Sequence, residues 1–408
     1  MKNNKLKKLH FENLYSFSIL NFLEKFLAYL SPLLIIQIFD DRVLYNQIEL
    51  IYSFSIIFNI FFDFGLRGYF TYSLRKIKNK RQYSIEVLNY FNSLFLLISV
   101  LTLLLISLIF KIFDKSQLII FLLIYFRFVY LYLTFFFKVY FRLISNPFYI
   151  FFITIPINLL VVIFIFYGLL FNNSNIDLII YFLPFIILLI FYILYLILSL
   201  KLKITFYRTI LFLIKSMKFY WPIILTSIIS LFIGNFIKIF SFYELSPDDM
   251  TKSSLFLRIL MIIQLTHASF AAFYLKKNFL EKKIKLNKKI LIMYLRNISI
   301  VTTLIYFLSP IYFNYLNVNI KIDIIFILMS MYIYFWCLAS YLEQFLTKFN
   351  FNRSILKYYL LSVIAYFFVL LITNSYNLIS ISLAMFISSF IYFICVVYKL
   401  NKLKLHNQ

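Results

Sequence analysis

Ten ionisable residues sit inside stretches of the chain that are otherwise apolar: Glu24, Lys25, Glu49, Asp63, Arg67, Arg127, Lys238, Arg258, Arg296 and Glu343. A charged group at mid-bilayer costs about 2.5–3.5 kcal/mol on insertion scales, so it faces a partner or a wet cavity. Two chemistries suit such a set. Ammonium and guanidinium groups donate several N–H bonds to phosphate or carboxylate oxygens. Carboxylates held away from water relay protons or neutralise cations. Six of the ten are basic and four acidic, so the balance favours an anionic ligand.

Depth ranks these residues. Arg127 lies about ten residues into its run, amid PheArgPheValTyr, too deep to snorkel to the interface. Glu24 and Lys25 fall near the middle of the first run. As neighbours they point about 100° apart on a helix, so at least one faces a polar interior. Asp63 and Arg67 are spaced i,i+4 and share a face. Glu49, Lys238 and Arg258 are placed in the outer third, and Arg296 and Glu343 within two turns of the opposite end. Glu49, Arg296 and Glu343 are expected at the interface, while Lys238 and Arg258 either reach it or turn to the cavity. His267, beside Gln264 and Thr266, reads as a hydrogen-bonded core residue. The expected anion-binding set is Lys25, Arg127, Lys238 and Arg258, with Glu24 and Asp63 as candidates for ion coupling.

Other chemistry has little to work with. There is no Gly-rich phosphate loop. Three histidines and two cysteines give no metal-ligand spacing, and only His267 lies away from the termini, so no Ser-His-Asp set forms. Cys337 and Cys395 read as small apolar core residues. No cofactor or metal is expected. Asp40-Asp41, between the first two runs, resembles the acidic metal-binding motif of lipid-dependent glycosyltransferases. That keeps a membrane glycosyltransferase or polysaccharide polymerase as an alternative.

The elements that must position these residues are membrane helices. The chain has 408 residues, 63% hydrophobic and 22% aromatic, with four glycines, a composition outside the soluble globular range. Runs near 20 residues long read as transmembrane helices. They fall at about 14–38, 47–66, 88–113, 117–137, 148–170, 178–200, 219–242, 253–274, 290–312, 322–346, 355–373 and 379–398. The first is expected to remain uncleaved, since it is long, charged and lacks a small-residue cleavage site. Pro32, Pro156 and Pro184 interrupt the first, fifth and sixth runs, and Pro222 opens the seventh.

The net charge of +25 is topology rather than a nucleic-acid footprint. Of the basic residues outside the runs, 29 lie in the termini and even-numbered loops and five (Arg42, Lys111, Lys115, Lys252, Lys321) in the odd ones. Lys and Arg concentrate on the cytoplasmic side, so both termini are expected there, with anionic lipids as a secondary attraction. Basic segment 201–218 falls at the middle and could lie on the inner surface as an amphipathic helix or form a plain loop. The expected organisation is all-α: a six-helix lobe over 1–200, this linker, and a second six-helix lobe over 219–408.

The second run closes with Asp63-Phe64-Gly65-Leu66 followed by a basic loop. This element resembles the one that ends the second helix of polysaccharide (O-antigen) flippases, the Wzx-type branch of the superfamily that includes multidrug MATE exporters. Twelve spans in two halves and about 400 residues also resemble that family. In the first outer turn Arg42 and Leu44 match its pattern, while Tyr45 stands where glycine is usual. The resemblance implies a flippase of the bacterial cytoplasmic membrane that moves undecaprenyl-diphosphate-linked oligosaccharide by alternating access around a cationic cavity. Partners implied are that lipid-linked substrate, a glycan polymerase and chain-length machinery. A MATE-type drug exporter is a further alternative, and it would prefer an acidic cavity.

Overall fold

The computed structural model describes residues 2–39, 42–63, 66, 70, 73–74, 79–109, 115–144, 146–170, 178–198, 206–244, 246–280, 288–315, 322–348, 351–373 and 377–405. Twelve long helices lie among them. They are α1 (Lys2–Phe39), α2 (Arg42–Phe61), α3 (Lys80–Ile109), α4 (Lys115–Ile144), α5 (Phe151–Leu170), α6 (Leu178–Leu198), α7 (Phe206–Glu244), α8 (Pro247–Leu280), α9 (Lys288–Tyr315), α10 (Ile324–Lys348), α11 (Asn352–Thr373) and α12 (Leu378–Leu405). A short 3-10 turn, Pro147–Ile150, leads into α5. Each expected run corresponds to one helix, and the described residues contain no strand. Ten helices are long and apolar enough to cross a membrane, while α3 and α6 contribute the shorter described apolar stretches Ile85–Leu101 and Tyr181–Leu194. The protein is an all-α, multi-pass membrane protein.

Helices are the solution a bilayer permits, because every backbone N–H and C=O must be satisfied within the segment. Polar side chains inside them turn back on their own backbone. Ser53 donates to the carbonyl of Glu49 at 2.9 Å, Thr134 to Tyr130 at 2.8 Å and Thr226 to Pro222 at 2.7 Å. At one end, acidic residues cap orphan N–H groups. Asp323 accepts from the amides of Ile325 and Phe326 at 3.1 and 3.2 Å. Ser246 caps α8: its Oγ accepts from the Asp249 amide at 3.1 Å and donates to the Asp249 carboxylate at 2.9 Å.

Several expected boundaries move, and three of the shifts bear on the candidate residues and the linker. The second helix begins at Arg42 and not at residue 47. The fourth runs on to Ile144 and takes Lys138 out of its expected loop. The seventh begins at Phe206, so residues 206–218 are its first turns and Pro222 lies in its interior.

Burial divides the helices. One cluster joins α1, α2, α4, α5 and α6 around Ile35, Ile48, Ile165 and Tyr181. Another packs α3 on α4 through Phe91, Phe95 and Phe136. The largest cluster gathers α7 to α12 around Leu260, Ile263, Met329 and Ile333, and it takes Leu33, Ile36 and Tyr45 from α1 and α2. The seam between these cores is therefore built by α1 and α2 against α7 and α8.

Candidate functional site

Charge is concentrated at that seam and in the first six helices beside it. Arg127 lies about 12 Å along α4 from the start of its apolar span at Ile119. Its guanidinium carbon sits 4.2 Å from the ring centre of Tyr52, 4.6 Å from Phe185 and 4.9 Å from Tyr130. The residue is 7% exposed. Its Nε and Nη1 are buried without a hydrogen-bond partner, and no carboxylate pairs with it among the described residues. Each cation–π contact contributes about 2 kcal/mol when desolvated, which offsets the insertion cost. Rings do not replace the missing acceptors, and each unsatisfied buried donor costs about 1–3 kcal/mol. The box is complementary to an anion that brings acceptor oxygens.

The second centre is saturated. Glu49 on α2 receives Lys238 of α7 at 2.6 Å on Oε2 and Arg258 of α8 on Oε1. Arg258 also donates from Nη1 to the carbonyl of Tyr29 at 3.2 Å. The three side chains are 1%, 4% and 4% exposed. Glu49 was expected at the interface, and the structure corrects this; of the two alternatives for Lys238 and Arg258, it shows the inward one. Because α2 begins five residues earlier, Glu49 is about two turns inside the helix, and the two cations turn inward to meet it. Around them Arg42 pairs with Asp248, and Asn46 accepts from Thr251 at 3.3 Å, so this end of the seam is closed by polar contacts.

Tyr52 joins the two centres. Its ring faces Arg127, and Arg258 lies 6.0 Å from the same ring. Its hydroxyl is 2.8 Å from that of Tyr181, which is 2.8 Å from Ser31.

The third centre pairs Glu24 of α1 with Lys138 of α4 at 2.6 Å, and Lys25 approaches the same oxygen at 3.5 Å. Glu24 and Lys138 are buried, whereas Lys25 is partly exposed. The side chain of Asn158 donates to the Glu24 carbonyl at 3.2 Å. The adjacent Glu24 and Lys25 thus share a local ion contact, and Lys138 is the stronger partner. Lys138 was missed as a site residue because it was assigned to a loop. Its spacing of eleven from Arg127, three helical turns, puts both on one face of α4 and was the available signal.

Asp63 lies half-buried in the turn after α2, where its carbonyl accepts from the Leu66 amide at 2.9 Å. Phe64, Gly65 and Arg67 lie outside the described residues, as do Asp40 and Asp41. His267 is a hydrogen-bonded core residue, as expected, with Nδ1 2.8 Å from the Tyr294 hydroxyl. Glu343 is turned inward against Tyr392, which donates to it at 2.7 Å. Across the three centres five cations meet two carboxylates, an excess of three positive charges.

The order and packing of these helices have counterparts among solved structures. The fold is shared with a MATE transporter. A mutant of the Vibrio cholerae MATE transporter VcmN superposes with a TM-score of 0.61 at 12% identity, covering 98% of each chain. A second solved chain, named only protein A, gives a TM-score of 0.64 at 12% identity over 96% of this chain and 95% of its own. No family model and no curated protein sequence matches. The likeness to MATE transporters is therefore one of fold.

Proposed function

We propose that this protein is a transporter that moves an anionic lipid-linked oligosaccharide across the bacterial cytoplasmic membrane for surface polysaccharide. The observation that carries the reading is the Arg127 box. It combines a buried guanidinium that lacks acceptors, suited to phosphate oxygens, with the aromatic rings of Tyr52, Tyr130 and Phe185, of the kind on which sugar rings stack. The MATE-like fold supports a transporter over an enzyme. Excess positive charge favours an anionic substrate over the cationic drugs of a MATE-type exporter.

In this reading both termini are cytoplasmic, and residues 1–200 and 219–408 act as lobes that rock about the seam, with 201–218 between them. The Glu49, Lys238 and Arg258 cluster closes the outer side. Rocking outward parts it, and Lys238 and Arg258 then become available to the diphosphate, with Lys25 and Arg127 deeper. Glu24 remains the candidate for ion coupling, since a proton there would release Lys138; Asp63 is a second. A glycan polymerase and chain-length machinery would receive the product.

The test measures surface glycan in cells carrying Arg127→Ala or Arg127→Lys, with membrane protein levels matched. Loss with alanine and partial rescue with lysine is the expected outcome. Unchanged glycan in an Arg127→Ala, Lys25→Ala double variant would reject the site.

A further inference from the structure

A groove of about 470 Å³ opens between α1, α8 and α9, within the range of roughly 300–1,000 Å³ of small-molecule sites. Ile19 and Phe22 form one wall, and Ile300 and Val301 the other. Ser18, Arg296 and Asn297 are polar groups on its lining. Two properties set it apart from the interior centres. It faces the membrane: only 17% of the α9 span is buried, and Ile19, Phe22 and Ile300 are all exposed. Its cation is also free, since Arg296 is exposed and has no ion pair among the described residues.

Arg296 lies about 12 Å along the helix axis from Lys288, where α9 begins. Helical side chains lean toward the N-terminus of their helix, so the guanidinium extends toward the Lys288 end and snorkels to headgroup depth. A cation at that depth above an exposed apolar cleft matches an amphiphile with a phosphate at one end and a hydrocarbon chain at the other. Charge decides which one. Among the described residues its lining offers one cation, Arg296, which balances the single negative charge of a phosphodiester and leaves a diphosphate undercompensated.

We propose that this groove binds one anionic glycerophospholipid from the leaflet at the Lys288 end. Its phosphodiester lies on Arg296 and Asn297, and an acyl chain lies along Ile19, Phe22 and Ile300. Guanidinium–phosphate bonds are charge-assisted and geometrically matched. The groove draws α1 from the first six helices and α8 and α9 from the second six, so the lipid bridges the seam. The proposal rests on the groove alone and is independent of what the protein transports.

The test is native mass spectrometry of the full chain in detergent with added phosphatidylglycerol or phosphatidylcholine of equal chain length. One phosphatidylglycerol should be retained, at least tenfold over phosphatidylcholine. Arg296→Gln should abolish the preference and Arg296→Lys restore part of it. Ile300→Trp fills the cleft with the cation intact and should lower retention severalfold, which keeps the test decisive if Arg296→Gln folds poorly. Equal retention of the two lipids overturns the proposal, as does a preference that survives Arg296→Gln and Ile300→Trp. Arg296-dependent retention of a polyprenyl phosphate over phosphatidylglycerol would overturn the choice of lipid.

Discussion

Arg127 and Arg258 are both buried guanidiniums that approach the Tyr52 ring, yet their surroundings differ. Arg258 is bonded to Glu49 and to a backbone carbonyl across the seam. Arg127 is held by three rings and keeps buried donors without acceptors. Burial alone therefore does not mark a binding residue in a membrane bundle. A charge whose partners come from other helices holds those helices together. A charge whose partners cannot accept its hydrogen bonds is poised for something that can.

The comparison can be broken most forcefully at Glu49. Replacing it with Gln leaves Lys238 and Arg258 buried without an anion, and breaking a buried pair costs about 3–5 kcal/mol. Thermal unfolding of the purified protein should show a large loss of stability. Adding Lys238→Met and Arg258→Met should recover most of it, because an apolar replacement of the whole cluster is close to neutral. A Glu49→Gln protein as stable as the parent would show that this cluster does not hold the seam together.

Arg127 should behave in the opposite way. Arg127→Met removes unsatisfied donors, so stability should hold or rise by about 1 kcal/mol. Substrate binding should weaken by at least about tenfold, since a bond between charged groups contributes roughly 1.5–3 kcal/mol. The two effects are separable, as a melting temperature for stability and a titration of the purified protein with the lipid-linked oligosaccharide for binding. A stability loss as large as that of Glu49→Gln would place Arg127 among the structural charges.

Glu24 lies between these extremes. Glu24→Gln leaves Lys138 buried without its carboxylate, while Lys25 is already partly exposed. The expected cost is about 1–3 kcal/mol, relieved by Lys138→Met in the same background. The smallest effect belongs to Arg42 and Asp248, an exposed pair. Arg42→Ala should change stability by about 0–1 kcal/mol and less at high salt, as read from melting at two ionic strengths.

How much of this was legible in the sequence depends on distance along the chain. The helices were readable because apolar runs of that length leave no other structure in a bilayer. Arg127 stood out because nothing polar flanks it. Glu49 was misread because a boundary shift of five residues carries a side chain from the interface to well inside the seam, and helix ends are the least defined part of any pattern. Lys138 was lost in the same way, at the other end of α4. The pairings themselves were invisible. Glu49 meets residues 189 and 209 positions away, and no local spacing encodes such a contact. The same holds for the ring positions around Arg127, since aromatic residues are so common here that three more carry no signal.

The 39 residues of α7 extend about 58 Å, nearly twice the roughly 30 Å hydrocarbon thickness. One stretch carries Lys238 in the seam, and the other, near its start, presses Phe212 against Tyr90 of α3 with ring centres 4.9 Å apart. Pro222 interrupts the helix's hydrogen-bond ladder between these two stretches, so the helix is two arms that meet at a bend. A displacement at the Glu49 cluster reaches the Phe212–Tyr90 contact only as far as that joint transmits it.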